Sequence, residues 1–276
     1  MTAMQLKNNF EKTIVIALLF VGGILVSLPF IWMILSSLKT DKEVLSIPPT
    51  LFPQDPTFQH YIELFQNLNF DVYLVNTLII VFFSMFGLLF NTMAGYGFGK
   101  FQFRFKETWF IIVLITMMIP GQVTMIPTYL ILNEMELTNT MAGIILPGLI
   151  AAFNIFLIRQ FMVTIPDDLI EAAKLDGAGQ FYIFFKLILP LSKPILAVQA
   201  ILTFIAAWNS FLWPLIIAND QSLYTLSVGL ALLQDENVTN YGLQMAGSAF
   251  MVIPIVIIFL IFQKYIVEGF NVSGIK

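Results

Sequence analysis

Three carboxylates are the residues of this chain that look most able to do acid–base or metal chemistry. Asp167, Asp168 and Glu171 lie within one short segment. Paired carboxylates can transfer protons or bind a cation, but here they have no histidine partner nearby. The chain contains no cysteine, and its single histidine, His60, lies far away in sequence. We therefore expect neither a catalytic residue nor a metal site in this chain.

A glycine-rich stretch, Gly95-Tyr-Gly-Phe-Gly-Lys100, superficially suggests a phosphate-binding loop. Its spacing does not match the four-residue spacer of such a loop, and Phe101 stands where the motif requires Ser or Thr. No other stretch fits the pattern. We expect this chain to bind no nucleotide.

Tryptophans and amides inside apolar stretches could recognise a polyhydroxylated ring. Sugars stack their apolar faces on aromatic planes and pair their hydroxyls with polar groups. Five residues are candidates for a substrate path on this basis: Trp208, Asn209, Trp213, Asn154 and Gln122. The alternative is a location at the membrane interface for tryptophan and hydrogen bonding between helices for the amides. For the polar residues inside the spans we favour helix–helix bonding, and these residues are Asn76, Asn91, Gln122, Thr124 and Asn154.

The composition indicates an integral membrane protein. Of its 276 residues, 58% are hydrophobic and only 11% are charged, and the mean hydropathy is +0.87. A soluble domain carries about 25% charged residues. Six uncharged apolar stretches are each close to the roughly 20 residues that span a bilayer. They predict an all-α protein with a single transmembrane domain over 1–276 and spans near 13–38, 72–97, 108–132, 138–158, 194–217 and 243–262.

Lysine and arginine placement predicts the orientation of these spans. Eleven of the 13 basic residues lie on the side that holds both termini and the connections after spans 2 and 4, and the other two are Lys39 and Lys42. Because cytoplasmic loops carry the excess of basic residues, both termini and the polar interval 159–193 are expected in the cytoplasm. The apolar segment 223–233 is too short to span, so we expect an interfacial or re-entrant helix there.

The interval 159–193 contains the signals of a short helix followed by a tight turn. Pro166, Asp167 and Asp168 suit a first helical turn, where proline is tolerated and acidic groups meet the positive end of the helix dipole. Gly177 and Gly179 are expected to end the helix in a left-handed conformation. A helix with small residues on one face is a docking surface for another protein.

The same interval resembles the EAA loop of ABC-importer permease subunits. The resemblance lies in Glu171-Ala-Ala, in Gly177, and in the ending Ile188-Leu-Pro190. Further stretches resemble the carbohydrate type of this family, namely the proline-rich connection at 48–61, the stretch 203–214 and the tail 263–276. Six spans are similar to the shorter permease subunit of maltose-type importers.

The resemblance implies a cytoplasmic coupling helix between spans 4 and 5 that inserts into a groove of an ATPase subunit. Its contact residues would be Leu169, Glu171, Ala172, Ala173, Asp176 and Gly177. The tail residues Gly274 and Lys276 would reach the ATPase dimer. The implied partners are a second homologous permease, a dimer of ATP-binding subunits, an extracytoplasmic sugar-binding protein and the lipid bilayer of a bacterial-type cytoplasmic membrane. Nucleic acid is not expected, and ATP and Mg would be used by the ATPase, with no cofactor bound by this chain.

Three other functions remain open. A secondary carrier would need charged residues at membrane depth for ion coupling, and the six predicted spans contain none. A membrane-embedded enzyme would need a partner for the three carboxylates. An ABC permease for a glycerol phosphoester would want Arg or Lys near the path, and a partner chain could supply it.

Overall fold

The structure is a computed structural model that describes residues 3–233 and 240–272, with side chains described for 12–233 and 240–264. Over these residues the regular structure is helical throughout. Within this described part of the chain, five helices are long and apolar enough to cross a membrane, and a broken pair of helices makes a sixth span if it is counted as one. The all-α membrane fold predicted from the sequence is confirmed.

Clustering of contacts divides the chain into two compact units, Met1–Leu68 with Leu230–Ile253, and Asn69–Gly229 with Pro254–Lys276. The single domain expected over 1–276 stays a prediction, because a division into two compact units does not test it.

The first unit begins with a long helix and continues into a proline-rich connection. Its helices are α1 Ala3–Ser36, α2 Asp41–Val44, α3 Gln59–Asn67 and the first part of α15 Tyr241–Val272. The most apolar window of α1 lies within Lys12–Ser36, and none of that window is buried inside the described chain. This surface therefore needs cover from lipid or another protein.

Lys39 organises the connection that follows α1. Its side chain is almost fully buried, donates a hydrogen bond to the Thr50 carbonyl, and lies 4.5 Å above the Trp32 ring centre. His60 Nε2 donates to the Lys39 carbonyl at 2.8 Å. The Glu43 carboxylate accepts a bond from the Thr50 hydroxyl at 2.7 Å, and this bond lowers the pKa of Glu43. One buried cation and one carboxylate thus hold a segment that has little helix of its own.

The second unit is built around α4, which packs most extensively against α8 and α12. Its helices are α4 Phe70–Lys100, α5 Lys106–Met118, α6 Gly121–Glu134, α7 Met141–Ile145, α8 Ala152–Thr164, α9 Asp167–Leu175, α10 Gln180–Ile183, α11 Leu189–Leu191, α12 Lys193–Trp208, α13 Leu212–Ile217 and α14 Leu226–Leu232, followed by the rest of α15.

The third predicted span is broken where the sequence has Pro120-Gly121. The axes of α5 and α6 differ by 102° across this break. Proline cannot donate the backbone bond that would continue α5, and Ile119 takes an extended conformation before it.

The fourth span continues as α8 beyond the predicted end at Ile158 to Thr164. Arg159 is accommodated there because its guanidinium stacks 4.3 Å from the Phe110 ring and lies 3.6 Å from the Glu107 carboxylate.

Two glycines let α4 and α8 approach closely. A β-carbon at Gly95 would lie 2.6 Å from Ile158 Cγ2, and one at Gly99 would lie 2.7 Å from Met162 Cβ. Small residues four apart allow this approach in membrane helices. The glycine-rich stretch is thus a packing surface between two spans.

Asn91 and Asn76 join α4 to backbone between helices, whereas the sequence analysis favoured bonding from helix to helix. The Asn91 amide donates to the Leu149 carbonyl at 3.1 Å and accepts from the Ala151 amide at 3.0 Å. The Asn76 amide donates to the carbonyls of Ser222 and Tyr224 at 2.7 and 2.9 Å. Each side chain satisfies backbone groups that have left the helical pattern.

Candidate functional site

Helix α9 is held to the rest of its unit mainly by one apolar side chain. Ile170 is the buried residue of this nine-residue helix, and it belongs to an apolar cluster with Ile165 and Ile183. The helix begins at Asp167 after Pro166, so its first turn carries the two acidic residues that the sequence placed there. Most of its surface is free to meet another molecule.

The six predicted coupling residues differ in their exposure. Leu169, Glu171, Ala172, Asp176 and Gly177 are exposed. Ala173 is half-buried because it packs against the apolar cluster around Ile170. Ala172 is therefore more accessible to a partner than Ala173.

The turn after α9 is a Schellman motif, in which backbone bonds close the end of the helix. The Ala178 amide donates to the Ala173 carbonyl and the Gly177 amide to the Lys174 carbonyl, both at 3.0 Å. Gly177 has a φ of +81°, so its predicted left-handed conformation is confirmed. The same prediction for Gly179 was wrong, because its φ of −70° is ordinary and it starts α10. A single left-handed residue is enough to close the helix.

Large exposed apolar side chains stand at the end of α9 and in the segment that follows it. Leu175 is 90% exposed at its end, and Phe181, Tyr182 and Phe185 in the next segment are exposed as well. The sequence analysis did not single out these residues. Apolar side chains beside a polar helix form the kind of patch that binds a protein partner.

Lys100 connects the end of α4 to the start of α9. Its side chain is 5% exposed, its ammonium lies 2.7 Å from Asp167 Oδ1, and it also donates to the Ile165 carbonyl. The hydrogen bond from Lys100 lowers the pKa of Asp167. Because folding lowers this pKa, ionised Asp167 stabilises the folded state. This stabilisation is fully present at pH values above the usual pKa of an aspartate, and it is lost as the pH falls through the lowered pKa.

A cavity of about 580 Å³, with a mostly apolar lining and several polar side chains, lies among the spans of the second unit. Gln122, Asn154 and Trp213 line it, and their predicted place in a substrate path stays a prediction. Its other polar lining residues are Ser84, Thr124, Thr128, Thr203 and Ser210. The lining contains no charged side chain. The sequence analysis named Thr124 only for bonding between helices. Serines and threonines are common in membrane helices, so the sequence had no signal that would have selected the other four.

Trp208 and Asn209, the other two candidates for the substrate path, do not line this cavity. Trp208 is buried and stacks on Phe204, with ring centres 5.6 Å apart. The Asn209 amide donates to the Ile205 carbonyl at 3.0 Å, where α12 ends. Both have structural interactions of their own.

The lining residues Trp213 and Asn154 are held by hydrogen bonds. Trp213 Nε1 donates to the Gly143 carbonyl at 3.1 Å, and the Asn154 amide lies 3.4 Å from the Thr203 hydroxyl. The indole ring is thereby fixed as one wall of the cavity. Asn154 and Thr203 bring an amide and a hydroxyl to the same wall.

Two further expectations concern a metal site and the C-terminal tail. Among the side chains of 12–233 and 240–264, no group of three or more His, Cys, Asp or Glu residues could hold a metal ion. The tail residues Gly274 and Lys276 lie outside the described residues.

The family pattern described as binding-protein-dependent transport system inner membrane component matches residues 91–272. The chain belongs to this family.

Curated relatives and a solved structure are similar over nearly the whole chain. The arabinooligosaccharides transport system permease protein of Halalkalibacterium halodurans is 35% identical over 252 residues, covering 90% of each chain. The sn-glycerol-3-phosphate transport system permease protein of Brucella abortus is 29% identical over 262 residues, covering 91% of this chain and 93% of the relative. A chain from a bacterial ABC transporter involved in the import of the acidic polysaccharide alginate superposes with a TM-score of 0.82 at 24% identity, covering 94% of this chain and 98% of that one. This last likeness concerns the fold.

Proposed function

We propose that this chain is a permease subunit for an importer of uncharged sugars, with oligosaccharides as the main class. The observation that carries the proposal is the cavity, whose lining combines hydroxyls, amides and an indole without a charged side chain. Its volume lies in the range of about 300–1,000 Å³ typical of small-molecule sites. The name of the arabinooligosaccharide relative supports the same substrate class.

The role of α9 in this proposal is that of a cytoplasmic coupling helix. Its exposed Leu169, Glu171 and Ala172, and the apolar patch beyond its end, support a protein partner there. The partner would be the ATPase subunit, which binds ATP and Mg, and this chain would bind no cofactor. Both termini would lie in the cytoplasm, and Gly274 and Lys276 would add a second contact with the ATPase.

The transport cycle follows from alternating access. A second homologous permease would complete the substrate path, and closure of the ATPase dimer on ATP would move the two coupling helices together. The permease pair would then open outward to receive sugar from an extracytoplasmic binding protein. The uncovered surface of α1 supports a further membrane partner or lipid as its cover.

A glycerol phosphoester is the second candidate substrate, because a 29% identical relative carries that transport activity in its name. A dianionic headgroup would need basic residues near its path. The cavity lining supplies none, so a partner chain would have to provide the charge.

The test is to purify the chain with its partners from its native membrane and to measure ATP-driven uptake in proteoliposomes. We expect a second permease, an ATPase and a binding protein to co-purify, and a neutral oligosaccharide to be taken up. Thr203→Val, which keeps the size of the side chain and removes its hydroxyl from the cavity wall, should reduce oligosaccharide uptake, whereas Thr116→Val, outside the lining, should not. Uptake of glycerol 3-phosphate in place of sugars would support the second candidate. ATP-independent flux through the chain alone would contradict both.

A further inference from the structure

The glycine-rich stretch of α4 ends in a lysine whose contacts go beyond helix packing. Lys100 is the last residue of α4, and its ammonium donates both to the Ile165 carbonyl and to the Asp167 carboxylate at 2.7 Å. The two acceptors lie on either side of Pro166, and the second of them, Asp167, is the first residue of α9. Lys100 therefore binds the N-terminal end of α9 at two adjacent points.

Few other contacts fix α9 in place. Ile170 is the residue of α9 that is buried, and Asp167 itself is 73% exposed on its side chain. The Lys100 side chain, by contrast, is 5% exposed and anchored at its base in a packed helix. Hydrogen bonds between ionised groups are shorter and stronger than neutral ones. The lysine thus fixes the position of the helix start relative to α4.

Helix α4 extends from this attachment to the cavity. Gly95 and Gly99 press it against α8 near the Lys100 end, and Ile80 and Ser84 of the same helix line the cavity. A continuous helix transmits a displacement along its axis with little deformation, because each residue is tied to the next turn. A movement of α9 therefore has a direct route to the cavity wall.

We propose that Lys100 is a positioning residue for energy coupling: through Ile165 and Asp167 it joins α9 to α4, so that displacement of α9 moves the wall of the substrate cavity. The inference rests on the proposed function, in which α9 contacts the ATPase. It assigns Lys100 a role that differs from the general excess of basic residues on one side of the membrane.

The experiment measures sugar transported per ATP hydrolysed by the purified importer in proteoliposomes. Lys100→Met removes both bonds and should lower this ratio by about tenfold or more, because loss of even one charge-assisted hydrogen bond corresponds to about that factor. Lys100→Arg should restore most of it, because a guanidinium can donate to both acceptors. Asp167→Asn should give an intermediate ratio, since the amide oxygen still accepts a bond. Arg104→Met, which removes an exposed basic residue from the loop after α4, is the matched control and should leave the ratio unchanged.

Two outcomes would overturn the inference. One is a wild-type ratio in Lys100→Met. The other is a loss that Lys100→Arg does not restore, including failure of both variants to assemble. Gly177→Val in the same assay separates this inference from the proposed function. If Gly177→Val loses coupling and Lys100→Met does not, only the role of Lys100 fails. If neither variant changes coupling, the assignment of α9 fails as well.

Discussion

At the scale of single residues, Gly177 shows how one backbone conformation determines a surface. Its φ is +81°, and no heavy atom beyond its chain neighbours lies within 4 Å of the position that a β-carbon would take. Space is therefore not what requires glycine here. The requirement is the left-handed conformation, which costs other residues roughly 1–2 kcal/mol and which asparagine tolerates better than most.

Two substitutions at Gly177 should separate conformation from size. We expect Gly177→Val to abolish transport and to leave ATP hydrolysis uncoupled, because a β-branched residue strongly disfavours positive φ. Gly177→Asn should keep most of the activity. Both uptake and ATP hydrolysis are measured for each variant. The amount of folded complex recovered from the membrane shows whether the variant was inserted. Equal activity of the two variants would show that the turn does not depend on the left-handed conformation.

The contact residues on α9 also need a test at this scale, because the alanines differ in exposure. Ala172 is exposed, whereas Ala173 packs on the chain's own core. Ala173→Trp should abolish transport, as the sequence resemblance implies. It would do so through two effects at once, because it would disturb both the contact with the partner and the packing of α9 on the chain's own core. Ala172→Trp is the sharper variant: it should block coupling while the thermal stability of the permease stays unchanged. Wild-type transport in Ala172→Trp would argue against a partner groove at this position.

At the scale of helices, the packing of α4 on α8 depends on glycines whose role the sequence did not reveal. The sequence excluded a phosphate loop at 95–100, but spacing alone could not show which helix these glycines face. Gly95 and Gly99 meet α8, while Gly97 on the same helix has only the Phe101 ring edge at 3.9 Å. Of these three glycines, Gly95 and Gly99 therefore allow close packing on α8, whereas Gly97 does not take part in that contact.

Alanine substitutions should distinguish these glycines. Gly95→Ala and Gly99→Ala should each lower stability by about 1–3 kcal/mol, the usual cost of overpacking a tight contact. Gly97→Ala should be neutral or stabilising by up to about 1 kcal/mol, because alanine favours helix over glycine. Thermal unfolding of the detergent-solubilised complex measures the difference. A destabilisation shared by all three variants would indicate a general effect of glycine replacement instead of a close α4–α8 contact.

At the scale of the whole chain, the orientation predicted from basic residues can be measured directly, since the protein has no native cysteine. Leu175→Cys lies at the exposed end of α9, and Asp55→Cys lies in the exposed connection after α1. A maleimide that cannot cross the membrane should label Asp55→Cys in intact cells and Leu175→Cys only after permeabilisation. The reverse pattern would place α9 outside the cytoplasm and remove it as a contact for the ATPase.

The sequence alone determined the features that follow from local composition. Apolar stretches of sufficient length must span a membrane as helices, because lipid cannot satisfy backbone groups. Gly177 had to end its helix, because this requirement is confined to a residue and its neighbours.

Only the tertiary structure decided which side chains meet across helices. It placed Gln122, Asn154 and Trp213 at one cavity and left Trp208 and Asn209 outside it. It left Ala173 half-buried and Ala172 exposed, and it brought Lys100 to Asp167. These contacts depend on how far each helix is rotated and how closely it packs, which no periodicity in one segment specifies, because the partner surface comes from residues distant in the chain.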